Sequence, residues 1–338
     1  MTQLEARRQP HPPDQVLPDP FGPGIVSARA SAQVSVPRAA PPSTTVPERL
    51  TRVFGVPLLA WRRLETEPLD AAYYALLTGG AEQVLWINQR AVHEPKIARY
   101  VAATQLLPGF TAPVIRADTT LTRLEHPYLI TGYCPTPTLA NVWPHLTPEA
   151  REGATHAWGA AVRLIHRIRF DLAGDLAYPE TEGARLEDDL NARWRAPLRL
   201  AVKDYMLDTP KLVAALKRGQ KLVQGAPVSL CHGLPRPHSF LYDQTQGVVS
   251  RALDFGDATR SDPMTDLAAL TPILAELGCA EAFLHGYGAL SKWEKKRLAF
   301  YNLHHELLRY ALALTHLPNR LALSRMRLAA ALAAEPNF

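Results

Sequence analysis

The sequence predicts an α+β protein of two lobes: a small one built on a five-stranded antiparallel sheet with one helix, and a larger, mainly helical one. Three observations predict it. Strand-like runs interrupted by a single helical run fill residues 48–133, and apolar positions at helical spacing dominate residues 134–338. One short strand pair lies among those later helices, beside a segment dense in polar residues. The 338 residues suffice for two moderate domains, and 47% hydrophobic residues can close their cores.

In chain order, residues 1–47 hold ten of the thirty prolines, including Pro12, Pro13, Pro18, Pro20, Pro41 and Pro42. Proline cannot donate to a ladder and biases the preceding residue away from helix, so this arm is expected to be extended, unfolded and solvated. A proline-rich partner ligand is the other reading of it. A short helix is predicted over Glu48 to Phe54 and a strand over Val56 to Leu64. Ala71 to Thr78 and Glu82 to Asn88 read as a hairpin across Gly79, Gly80 and Ala81. Glu94 to Leu106 is helical, and Val114 to Leu124 with Pro127 to Tyr133 forms a second strand pair.

Beyond Cys134 the pattern turns helical. Thr147 is a plausible N-cap, with Pro148 in the first turn and Glu149 favourable to the helix dipole. Ala150, Ala154, Trp158, Ala161, Ile165 and Ile168 then mark one apolar face of a long helix. Helices are expected over Leu186 to Tyr205, Pro210 to Val223, Met264 to Glu276, Ala280 to Leu290, Lys292 to Leu317 and Arg320 to Ala334. Between them, Ser239 to Asp243 and Val248 to Leu253 read as strands joined by a turn, part of a loop-and-hairpin unit at 229–256. A cleft between the lobes follows.

Composition limits the function. Lys plus Arg (37) exceed Asp plus Glu (32) by only 5, which is not the charge of a nucleic-acid binder. There is no run of about 18 apolar residues and no apolar signal core, so neither membrane insertion nor secretion is expected. Cys134, Cys231 and Cys279 lie far apart with no zinc-binding spacing and read as reduced thiols, consistent with a cytoplasmic protein. The expected partner is a small molecule or another protein.

The densest polar signal runs His232-Gly233-Leu234-Pro235-Arg236-Pro237-His238-Ser239, then Asp254-Phe255-Gly256-Asp257, then Asp262-Pro263 and Asp266-Leu267-Ala268. This succession resembles the C-lobe signature of the aminoglycoside phosphotransferase and choline-kinase-like family, small-molecule kinases with the bilobal protein-kinase-like fold. The likeness extends over about residues 48–338. It includes the βββαββ order, the hinge-like run Tyr128 to Tyr133 and the helix ending at Ile168.

The resemblance implies a set of phosphate-handling groups, and this chain departs from several. Transfer needs a carboxylate at the acceptor hydroxyl, metal ligands on the phosphates and a cation on the α/β-phosphates. The family's catalytic Asp falls on Leu234, which cannot accept a proton; a general base is worth about 10²–10⁴ in rate. Its metal-binding Asn falls on Ser239, a poorer magnesium ligand, which leaves Asp254 as the one charged ligand. Its strand lysine falls on Trp86 or Asn88, neither of them a cation, and no lysine precedes Lys96. Arg90 is the nearest positive group, and Glu94 would pair with it on the surface. The family's phosphate-covering loop reads Leu64 to Asp70 here, where Glu65, Glu67 and Asp70 would repel a triphosphate.

The expectation is therefore a catalytically impaired kinase-like protein, a pseudokinase acting as a binding or scaffolding module. A residual nucleotide or small-molecule pocket would lie at Thr131, Gly132 and Tyr133, with Asp254 beside it. No resident cofactor is expected in that case. One alternative is an active ATP- and magnesium-dependent phosphotransferase acting on an alcohol group through an atypical base. Another is a refilled cleft, with interaction only through the surface. Among the flanking residues, His232 is expected to brace the loop, His238 or Arg236 could meet an anion, and Asp262 and Asp266 are expected to be structural. His304 and His305, adjacent on a helix and about 100° apart, should be one buried and one exposed.

Overall fold

The computed structural model describes residues 46–55, 58–63, 71–77, 82–88, 95–124, 126–178 and 183–334. The rest of the N-terminal arm, the acidic loop Leu64 to Asp70, the Gly79-Gly80-Ala81 turn and the Arg90 and Glu94 pair lie outside them.

The N-terminal lobe runs α1 (Val46–Phe54), β1 (Leu58–Arg63), β2 (Ala71–Leu77), β3 (Glu82–Ile87), α2 (Lys96–Leu106), β4 (Val114–Asp118) and β5 (Tyr128–Gly132). Its five strands form one antiparallel sheet in the order β1-β2-β3-β5-β4. Strand alternation splits the apolar residues between two cores. Leu85, Tyr128 and Ile130 pack with Leu50, Val53 and Phe54 of α1 on one face. Trp86 and Leu129 face the other way and join Ile97, Tyr100 and Ala103 of α2 in the main core, which continues into the second lobe. β4 ends at Asp118 rather than near Leu124, because the Asp118 carboxylate accepts from Thr120 N at 2.8 Å and from its hydroxyl, turning the chain.

The C-terminal lobe contains α3 (Leu139–Val142), α4 (Pro148–His166), β6 (Arg169–Phe170), β7 (Gly174–Asp175), α5 (Leu186–Ala201), α6 (Thr209–Leu222), β8 (Val228–Cys231), β9 (Phe240–Asp243), β10 (Val248–Ala252), β11 (Thr259–Ser261), α7 (Met264–Leu277), α8 (Ala280–Tyr287), α9 (Lys292–His316) and α10 (Leu321–Ala333). Thr147 caps α4 by accepting from Ala150 N at 3.2 Å, and Ala154, Trp158, Ala161 and Ile165 are buried. Ala150 is exposed and Ile168 lies beyond the helix, so the buried face is shorter than its periodicity suggested. α5 stops at Ala201 rather than Tyr205, where Asp204 accepts from Met206 N and binds Tyr310 and Arg325.

The predicted hairpin is β9-β10, and β6-β8-β11-β7 form a further four-stranded sheet of two- to four-residue strands, too short for periodicity to reveal. His304 and His305 are both buried, at 3% and 4% exposure, which corrects the expectation of one outside. α9 is enclosed by α5, α6, α7 and α10, so a 100° step between neighbouring side chains does not reach water.

The lobes are also joined behind the cleft. Thr111 bridges Ala252 in parallel, Ala252 N donates to Phe110 O at 2.8 Å, and Arg251 Nη1 donates to Thr111 O at 2.8 Å and Gly109 O at 3.2 Å. Among the described residues, no helix is long and apolar enough to cross a membrane.

Candidate functional site

Strand β8 delivers the chain into the His232–Ser239 loop, and Asp266 near the start of α7 holds that loop's first turn. Its carboxylate accepts from His232 N at 2.7 Å, Gly233 N at 2.9 Å and His166 Nε2 at 3.0 Å. Burial raises the Asp266 pKa, but these donors and the nearby histidines outweigh it and leave the carboxyl below its ordinary range. Asp262 accepts from Met264 N and pairs with Arg297 at 2.7 Å. Trp158 Nε1 donates to Pro235 O at 3.1 Å.

The His232 ring lies between Phe240 and Phe255, and its Nε2–H donates to Leu253 O at 2.7 Å. Burial depresses its pKa, so it is a neutral brace. Gly233 has φ +91°, and a Cβ there would overlap the carbonyl of Asp257, so only glycine lets the two motif loops touch. Leu253 N closes the contact on Ser239 O at 2.7 Å.

On this braced loop Leu234 is half-buried, Arg236 and Ser239 are buried and His238 is exposed. Following it in the fold, Asp254 sits in the left-handed region at φ 60°, ψ 49°, a conformation uncommon outside glycine and one that aspartate tolerates better than most residues. Burial, then the charges of Asp254 and Cys134, push the Tyr100 phenol well up.

Helix α2 is clamped to the Asp254-Phe255-Gly256 turn by three residues of one face, Lys96, Arg99 and Tyr100. Tyr100 meets Phe255 edge-on with centroids 6.2 Å apart. Arg99 grips Asp175 with two bonds of 2.8 Å and donates to Gly256 O at 3.2 Å. Lys96, only 4% exposed, lays its stem against Gly256; a Cβ on that glycine would stand 3.4 Å from Lys96 Cβ and 3.5 Å from Trp86 Cη2. Of the two candidates for the strand-lysine place, Trp86 thus reaches the turn, whereas Asn88 lies just past β3, buried, its N–H bound to Pro127 O.

Thr131 and Gly132 are in β5, paired on both sides, and Tyr133 follows directly. Gly132 N donates to Pro113 O at 3.0 Å and Tyr133 N to Glu82 O at 3.1 Å. Those two N–H groups are committed to the protein, so a ligand at this edge would meet carbonyl groups or the residues after Tyr133.

For a magnesium triphosphate the donor set is thin: one carboxylate at Asp254, one buried hydroxyl at Ser239 and an alkyl group at Leu234. These residues do not fit a metal ion poised for transfer. A second cluster, His166, Cys231 and Asp266, places three ligand atoms within 4.8 Å. It reads as a bracing knot, because Asp266 already accepts three hydrogen bonds and burial, then Asp266 and Asp262, push the Cys231 thiol up, away from the thiolate a metal requires. Lys96 is the residue sequence reasoning passed over. Its signal was its place as the first lysine of the chain, on the helix expected to follow the third strand.

The family model described as the phosphotransferase enzyme family matches residues 62–301. Among solved structures, a thermostable mutant of aminoglycoside phosphotransferase APH(4)-Ia in ternary complex with ADP and hygromycin B is 19% identical, with TM-score 0.63, covering 87% of this chain and 100% of that one. The GDP complex of wild-type aminoglycoside 2'-phosphotransferase-IIIa is 14% identical, with TM-score 0.62, covering 85% and 97%. A putative aminoglycoside phosphotransferase from Ralstonia eutropha is 11% identical, with TM-score 0.58, covering 82% and 92%. No curated protein matches the chain. These likenesses give the fold, and the family match over most of the chain gives the membership: the chain belongs to the phosphotransferase enzyme family, with the bilobal kinase-like architecture its motifs announced.

Proposed function

We propose that the chain is a catalytically impaired phosphotransferase that works as a binding or scaffolding module, with the interlobe cleft as its ligand site. One observation carries this reading: Leu234, where the family resemblance expects the catalytic aspartate, stands on a loop braced by contacts through Asp266, His232, Gly233 and Trp158. The rigid frame that would aim a carboxylate is present, and the side chain it aims is aliphatic. Trp86 supports the same reading by filling the space beside Gly256 with an indole.

The test is turnover of ATP and magnesium with a panel of amino alcohols, sugars and aminoglycosides. The expected result is no transfer above background, both for the chain as it stands and for the Leu234→Asp, Ser239→Asn double variant. Activity that vanishes on Asp254→Ala would replace this reading with that of a working enzyme. A melting-temperature rise with nucleotide that needs no magnesium would assign the cleft to binding alone, since a ligand of the native state stabilises it by mass action.

A second reading, an active ATP-dependent transfer to an alcohol using an atypical base, is favoured by Lys96. Lys96 is a buried basic residue whose stem lies on Gly256, which puts a lysine beside this turn on the helix rather than on the strand. Under that reading, Lys96→Met abolishes both turnover and the nucleotide-induced shift.

A further inference from the structure

The C-terminal lobe contains a second concave feature, on the surface where α4 and α8 cross. A cavity of about 250 Å³ is lined there by Glu149, Glu152, Gly153, His156, Ala282 and His285. The histidine rings stand edge to face with centroids 5.3 Å apart and an interplanar angle of 76°.

The two helices touch backbone to backbone at this crossing. A Cβ on Gly286 would overlap the carbonyl of His156, and one on Gly159 the carbonyl of Phe283, so the glycines fix the separation of the histidine-bearing turns. Glu149, Glu152 and His156 follow one another at i, i+3 and i+7, which puts all three on one stripe of α4. All four polar side chains are exposed, and among the described residues none of them takes part in an ion pair or a side-chain hydrogen bond. The cavity therefore sets two imidazoles and two carboxylates against one another, with no lysine or arginine among its lining residues.

We infer that this crossing is a binding site for a divalent first-row transition ion, zinc being the fitting case, held by His156, His285 and Glu152 with Glu149 beside them. Zinc takes imidazole nitrogen at about 2.0–2.1 Å and carboxylate oxygen in tetrahedral sites. Two imidazoles sharing one such ion have ring centroids roughly 5 Å apart by the same geometry, the separation the helices already impose. Glu152 stands one helical turn before His156 on the same stripe of α4 and offers the carboxylate oxygen. The all-nitrogen and oxygen donor set selects zinc, cobalt or nickel over soft-ligand metals. The ion would pin α4 to α8, remote from the residues proposed for the cleft, so this inference stands apart from the proposed function.

The experiment is competition for zinc between the tag-free full chain and a chromophoric chelator, followed by cobalt substitution. One zinc equivalent is expected, with a cobalt d–d spectrum free of thiolate charge transfer and a melting temperature raised by zinc. The His156→Ala, His285→Ala variant should keep its metal-free melting temperature and lose both the equivalent and the zinc-induced rise. Absence of binding, retention of the full equivalent by that variant, or a thiolate band that moves the ion to the cysteines would each overturn the inference. Should the double variant fold poorly, Glu152→Gln alone must weaken zinc binding at an unchanged metal-free melting temperature, and unchanged affinity would overturn it as well.

Discussion

Single side chains in this molecule set a pH limit as well as a shape. Burial, then His305, depresses His304 to about 3, and burial, then Arg309, depresses His305 to about 4. Both are neutral in the fold, whereas in the unfolded chain a histidine titrates near about 6.5. The unfolded state binds more protons between those limits, so this contribution to stability is fully present above pH of about 6.5 and is lost as pH falls towards about 4. Chemical denaturation across that window should show a midpoint declining with acidity, and His305→Gln should flatten the decline. Such behaviour could not be read from the pair His304-His305, because adjacency gives an angle and says nothing of how many helices surround α9. The motif residues were more legible. Asp262, Asp266 and His232 brace the loops as the family resemblance implied, while the place of Lys96 against Gly256 depends on a contact across more than 150 positions of chain.

At the level of elements, the order of strands and helices was readable because apolar periodicity and turn residues act over short windows, as Thr147 capping α4 illustrates. β8 and β11 were not, since strands of three or four residues stand only by pairing with each other and with β6 and β7. Nor does any periodicity announce the crossing of α4 and α8, which depends on two glycines more than a hundred residues apart. Gly159→Ala gains about 1 kcal/mol of helix propensity. It also drives a methyl into the Phe283 carbonyl, an overlap that costs about 1–3 kcal/mol or more where backbone must move. A lowered melting temperature is the expected outcome, and unchanged stability would mean that the helices separate freely.

For the whole molecule, the arrangement of the lobes is set by what crosses the cleft. Arg99 on α2 reaches Asp175 on β7 and the carbonyl of Gly256, so one guanidinium couples the helix of the small lobe to the sheet of the large one. Arg99→Ala should destabilise by about 1.5–3 kcal/mol, the range for hydrogen bonds to a charged group. Amide exchange should speed up in α2 and not in α9, a contrast that mass-resolved hydrogen exchange measures. Equal acceleration in both helices would mean that the residue supports the fold generally rather than the lobe contact.

The parallel bridge between Thr111 and Ala252, with Arg251 fastened over the same carbonyls, has a mechanical consequence. It is a second fastening, separate from the Arg99 contacts on Asp175 and Gly256 O, so the small lobe is tied to the large one at two places and any rotation between them must strain one or the other.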